Sequence, residues 1–178
     1  MKLSWSHAVL YVRDLDLMLN FYSETLGFTI TDRGPIGSED SPEIVFMSQS
    51  PTEHHQIAMV ASRKDDQPSN SVNHFAFRVE TFEVVTGLNR SLASINGIKV
   101  MPLSHGNTLS IYFNDPEGNG IEVFWDTPWH VAQPQGQPWD PAMDKQAALD
   151  WVSETFGQEE TFVAREDYYR HKHAGLVN

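Results

Sequence analysis

The chain opens on an alternation of apolar and polar positions. Trp5, His7, Val9 and Tyr11 fall on one face of a strand, and Ala8, Leu10 and Val12 on the other. Beyond Val12 the period changes. Asp14 stands where an N-cap belongs, Met18, Phe21 and Tyr22 form a helical stripe, and Gly27 suits the C-terminal stop. The same succession returns 67 residues later. His74, Ala76 and Arg78 share one strand face, with Phe75, Phe77 and Val79 on the other. Val85, Leu88, Leu92 and Ile95 then follow at helical spacing, with Gly97 near the end. Three strand-like runs come after each strand–helix pair, at about 28–32, 43–48 and 54–61, then at about 99–103, 108–114 and 120–126. A repeat at fixed offset outranks any local reading. It predicts an α+β fold built from a βαβββ module used twice.

The offset carries His7 onto His74 and His55 onto Glu122. If each helix covers the Ala8/Leu10 or Phe75/Phe77 face, the histidine faces line the concave side of a cup-shaped, partly open barrel of mixed strands. Glu122, between Ile121 and Val123, is an isolated carboxylate in a half-buried hairpin, which costs several kcal/mol unless water or a cation meets it. A single strand histidine is ordinarily a satisfied polar residue, and His54, His130, His171 and His173 have nothing further in their favour. Two histidines starting equivalent strands, with a carboxylate in the closing strand, predict a metal site among His7, His55, His74 and Glu122.

After Asp126 the pattern stops. Pro128, Pro134, Pro138 and Pro141 preclude a regular strand and predict an extended segment lying over the modules. A helix is predicted to begin with Asp140 as cap and Pro141 first, to bury Leu149, Val152 and Phe156, and to end at Gly157. A second, charged helix is predicted over residues 160–174. The organisation is a two-module domain at 1–126 (modules about 5–62 and 72–126) and a C-terminal extension at 127–178, an extended segment plus two helices.

Composition narrows the partners. At 178 residues and 40% hydrophobic, the chain can bury one respectable core. A net charge of −12 argues against nucleic acid, which requires a concentrated basic surface, and favours a neutral or weakly charged ligand. The absence of cysteine excludes disulfides, thiolate metal sites and thiol nucleophiles. No apolar run approaches the ~20 residues of a membrane span. The first residues carry no export signal, so a cytoplasmic protein is expected.

The stretches "SHAVLYVRDLDLMLNFYSETLGF", "VNHFAFRV" and "IYFNDPEGNGIEVF" resemble the vicinal oxygen chelate superfamily, which includes glyoxalase I, fosfomycin-resistance proteins, epimerases and extradiol dioxygenases. The resemblance implies His7, His74 and Glu122 as ligands of a divalent metal. It is strongest to the single-domain type I extradiol ring-cleaving dioxygenases. There it implies an acid/base role for His55, a place beside the substrate hydroxyl for Tyr112, and a pocket-lining place for His105. Two histidines and one carboxylate on one face of a metal form the triad of non-haem Fe(II) oxygenases, and Mn(II) suits the same ligands. The implied activity is extradiol (meta) cleavage of a catechol-type diol by O₂ to a hydroxymuconic semialdehyde-type product, as in aromatic catabolism. A homodimer or higher homo-oligomer is expected. The alternatives are a glyoxalase- or epimerase-like enzyme, a fosfomycin-type thiol transferase, or a metal-free sequestering protein. A phosphonate needs cationic clamps, and no Lys or Arg lies between Lys99 and Lys145.

Overall fold

Each predicted module folds as one helix against a four-stranded open sheet. The computed structural model describes residues 6–36, 39–51, 54–64, 72, 74–133 and 135–176; Trp5 and Pro134, which figure in the predictions above, lie outside them. The first module runs β1 (Ala8–Val12), α1 (Leu15–Asn20, continued by a wider π turn at Phe21–Thr25), β2 (Thr29–Pro35), β3 (Glu43–Ser48) and β4 (Ile57–Ala61). The second runs β5 (Phe75–Val79), α2 (Phe82–Ala93), β6 (Met101–Ser104), β7 (Thr108–Asn114) and β8 (Gly120–Asp126). Their sheets have the same order, β1-β4-β3-β2 and β5-β8-β7-β6. In each, the first and last strands pair in parallel and the remaining pairs are antiparallel.

By internal packing the chain divides into two units, Met1–Asn70 with Asp115–Asn119, and Ser71–Asn114 with Gly120–Asn178. In the first, Leu10 and Val12 are buried with Met18 and Tyr22 of the helical segment, while Val9 and Tyr11 remain exposed. The strand alternation therefore holds. Asp14 caps α1 by accepting a hydrogen bond from Leu17 N–H at 3.0 Å. Asp115 organises the turn Asp115–Asn119. Its carboxylate accepts from Glu117 N–H (3.0 Å), Asn119 N–H (2.9 Å), Asn119 Nδ2 (2.8 Å) and the Tyr22 hydroxyl (3.2 Å). Burial nevertheless pushes the Asp115 carboxyl above its ordinary pKa, and burial followed by the Asp115 charge raises the Tyr22 phenol.

The repeat is less regular than the sequence suggests. The first strands repeat at 67 residues (Ala8 to Phe75), but Ile57 stands beside Ala8 and Ile121 beside Phe75, so the closing strands repeat at 64 (Ile57 to Ile121). The connection ahead of β4 is longer than the turn ahead of β8. Ala58 therefore takes the place in β4 that Glu122 takes in β8, opposite Val9 and Ala76 respectively, and His55 precedes its strand.

In the second unit, Val85, Leu92, Leu109, Ile111 and Ile121 are buried together with Val152 and Phe156 of the extension. Each such side chain contributes about 1.5–3 kcal/mol on burial. The extension contains β9 (Trp129–His130), α3 (Lys145–Phe156), β10 (Val163–Ala164) and α4 (Arg165–Leu176). Its first helix begins later than predicted. Asp140 closes a turn instead, accepting from Ala142 N–H, and Asp144 is the cap, accepting from Ala147 N–H at 2.9 Å. The buried face is Ala148, Val152 and Phe156; Leu149 is half-buried. Asp126 at the end of β8 pairs with Arg78 (2.9 Å) and Arg165 (3.0 Å), tying α4 to the sheet. No helix among the described residues is long and apolar enough to cross a membrane.

Candidate functional site

The residues singled out in the sequence fall into two groups, one in each unit. In the first unit, His7 sits immediately before β1, and its ring lies 4.2 Å from that of His55. His55 also packs against Phe46 at 4.8 Å. The neighbouring His54 turns elsewhere, with its Nε2 3.7 Å from Asp32, although the two Nδ1 atoms remain 2.9 Å apart. The His55 imidazole is held below its ordinary pKa by burial first, then by repulsion from His7 and His54.

The second unit holds the carboxylate. Glu122 is 8% exposed in the middle of β8, where strand pairing sets it between Ala76 and Tyr112. Its Oε2 lies 3.3 Å from Nε2 of His74, which precedes β5. Two ligand atoms about 2.1 Å from a shared metal and at right angles to each other stand about 3 Å apart, so this pair fits adjacent positions on one ion. Among the described residues no three His, Asp or Glu side chains are grouped closely enough to hold a metal; of the four residues put forward from the sequence, His7 lies with His55 and His74 with Glu122.

Tyr112 borders the same place. Its ring stands edge-on to His74 at 5.4 Å, and its hydroxyl is 2.8 Å from Nε2 of His105. Burial first, then a hydrogen bond to Glu122 and its charge, raises the Tyr112 phenol well above its usual pKa. A cleft of about 310 Å³ is lined by His74, Tyr112, Lys99, Met101, Asn114 and Gly120, among others. Lys99 was missed in the sequence. Its position two residues before Met101, which pairs with Tyr112, was the available signal.

His105 enters a loop closed by a tight turn at Gly106. That glycine has φ +78°, and a Cβ there would come within 2.5 Å of Val131 Cγ1 and 3.2 Å of Phe156. Gly106→Ala is expected to lower stability by about 2–3 kcal/mol, read by chemical denaturation, because both the dihedral and the space oppose a side chain.

The profile of the Glyoxalase/Bleomycin resistance protein/Dioxygenase superfamily matches residues 4–123. The chain is 27% identical to biphenyl-2,3-diol 1,2-dioxygenase 2 of Rhodococcus globerulus over 53% of its own length and 59% of the relative's. It is 30% identical to catechol-2,3-dioxygenase of Bacillus subtilis over 68% of its own length and 41% of the relative's. The matched region is thus about half of those relatives. In fold it is similar to the fosfomycin resistance protein FosX of Listeria monocytogenes, solved with Mn(II) and sulfate. The TM-score is 0.53 and the identity 22%, covering 71% of this chain and 95% of that one.

Proposed function

Because the chain belongs to the glyoxalase/bleomycin resistance/dioxygenase superfamily, we propose that it cleaves a catechol-type diol by the extradiol route, using O₂ and a divalent metal, Fe(II) or Mn(II). The observation that carries this reading is the buried Glu122 carboxylate, 3.3 Å from His74 and directly across the strand pair from Tyr112. His74 and Glu122 would hold the metal together with His7, the third ligand implied by the resemblance. When bound, the metal supplies open positions for the two vicinal oxygens of the diol and for O₂.

The side chains do the rest. Tyr112 hydrogen-bonds the substrate oxygen and holds it in place as the ring is ketonised. His55, as general acid, gives a proton to the departing oxygen when the O–O bond breaks. The ring opens at the C–C bond next to the diol, and both oxygen atoms enter a hydroxymuconic semialdehyde-type product. His55→Gln is expected to retain the metal and lose about 100-fold or more in kcat, within the range for a positioned acid. Equal turnover by this variant removes the role.

The direct test is anaerobic Fe(II) loading followed by O₂ uptake and visible absorbance with catechol, methylcatechols and dihydroxybiphenyl. A yellow product with matching O₂ consumption supports ring cleavage; none with any diol sinks it. Assembly as a homodimer or higher homo-oligomer belongs to the same reading and is tested by mass in solution. One observation favours a second reading. Lys99 lines the cleft beside His74 and Tyr112, which suits an anionic substrate such as a phosphonate. Assaying the Mn(II)-loaded protein with fosfomycin, with water or a thiol as nucleophile, separates the two.

A further inference from the structure

His105 is held from both sides. Its Nδ1 is 2.5 Å from the main-chain carbonyl oxygen of Gln135, in the C-terminal extension, and its Nε2 is 2.8 Å from the Tyr112 hydroxyl. A carbonyl oxygen can only accept. The proton therefore sits on Nδ1, and a neutral ring must present Nε2 as an acceptor. We infer that the C-terminal extension is a working part of the site: it fixes His105 as the Nδ1–H tautomer, which makes His105 a positioning residue for the Tyr112 hydroxyl.

The extension is built to hold that loop. Gln133 Nε2 donates to the carbonyl of His105 at 2.8 Å and lies 3.3 Å from the side-chain oxygen of Asn107. Ser104 and Gln137 exchange backbone hydrogen bonds of 2.8 and 2.9 Å, so the extension adds a bridge beside β6. Trp139, buried, donates its indole N–H to Ser110 O at 2.9 Å. At Gly106 the approach of Val131 and Phe156 leaves no room for a Cβ. These contacts bind the carbonyl of Gln135 and the ring of His105 to one rigid surface.

The consequence falls on Tyr112. Its hydroxyl has one proton and two acceptors, Nε2 of His105 and the Glu122 carboxylate. When Glu122 is engaged elsewhere, Nε2 takes that proton and the phenol keeps its orientation at the cleft wall. With the other tautomer Nε2 would itself be a donor, and the Tyr112 proton would turn toward Glu122. The extension thus decides which lone pairs Tyr112 offers to a bound diol, an inference about catalysis that rests on the ring-cleavage reading.

The first experiment needs neither metal nor substrate. Long-range ¹H–¹⁵N spectra of the full-length labelled protein, with His105 assigned against His105→Asn, are expected to find the proton on Nδ1 and a bare Nε2. They should also find a slowly exchanging Tyr112 hydroxyl proton that is lost in His105→Asn. A proton on Nε2, or an exchanging mixture of tautomers, overturns the inference. The second experiment compares two amides with the Fe(II)-loaded protein. In His105→Asn the amide nitrogen can keep the Gln135 contact but does not reach Tyr112; in His105→Gln the amide reaches toward the place of Nε2. His105→Asn is expected to lose about tenfold or more in kcat, the range for a partner behind a site group, with His105→Gln recovering most of it. Full activity in His105→Asn overturns the role toward Tyr112. If the wild-type protein turns over no diol, ring cleavage fails and the spectra alone decide the tautomer.

Discussion

Changing Glu122 to Gln is expected to leave the protein folded and unable to retain a divalent metal, with O₂ uptake on catechols falling to background. Gln has the shape of the side chain it replaces, so the middle of β8 keeps its packing against β5 and β7. What disappears is the negative charge beside His74 Nε2 and across from Tyr112. Replacing partners that merely support a ligand costs 10–100-fold in affinity, so loss of the carboxylate itself should cost at least about 100-fold. Metal analysis after anaerobic loading and dialysis reads this directly, and thermal melting confirms that the fold survived. A Glu122→Gln protein that holds as much Fe(II) as the wild type would falsify the ligand assignment, and ring cleavage with it. Arg33–Glu43 supplies the control: both partners are exposed, and Glu43→Gln should change neither metal content nor melting.

The second large effect is on stability and lies at Glu117. Its side chain is 3% exposed, and its Oε1 accepts from the backbone N–H groups of Arg13 (2.6 Å) and Asp14 (2.7 Å), immediately ahead of α1. Its Oε2 faces Arg13 Nε at 3.5 Å and Arg63 Nη1 at 3.7 Å. Negative charge is favoured at the start of a helix, and here it also meets two guanidinium groups. Glu117→Ala removes the acceptor from all of them and takes the carboxylate away from Arg63, whose side chain is only 10% exposed. Breaking a buried pair from one side costs about 3–5 kcal/mol. At roughly 2–4 °C per kcal/mol for a chain of this length, Tm should fall by on the order of 10 °C. Glu117→Gln, which keeps one oxygen acceptor, should fall less. Equal melting of Glu117→Ala and wild type would show that the carboxylate does not hold the turn.

Much of this molecule was legible in the order of its residues. The period change at Asp14, the stripe of Met18, Phe21 and Tyr22, and the return of the pattern at His74 are local signals. They reflect how a strand or helix exposes one face, and they led to two βαβββ modules, with some strand ends displaced, as where β4 begins at Ile57 and leaves His55 ahead of it. The motifs around His7, His74 and Glu122 were readable as a resemblance to a family, carried by short contiguous stretches. Where a prediction slipped, the deciding force was not local. Asp140-Pro141 has the chemistry of a helix start, yet Asp144 takes the cap because the buried face runs through Ala148, Val152 and Phe156. The 67-residue offset fails at the closing strands because register is set by strand pairing and loop length, which no single position reports.

By itself, then, the sequence determined the two modules and the cap of the first helix at Asp14, since these depend on neighbours a few residues away. Only the tertiary structure decided that His55 rather than His54 packs on His7, that His74 meets Glu122, and that Lys99 borders the cleft. It also decided that the extension grips His105 through Gln135. Each of these joins atoms far apart in the chain, and such contacts follow from how sheets pair and loops close rather than from the identity of any one residue.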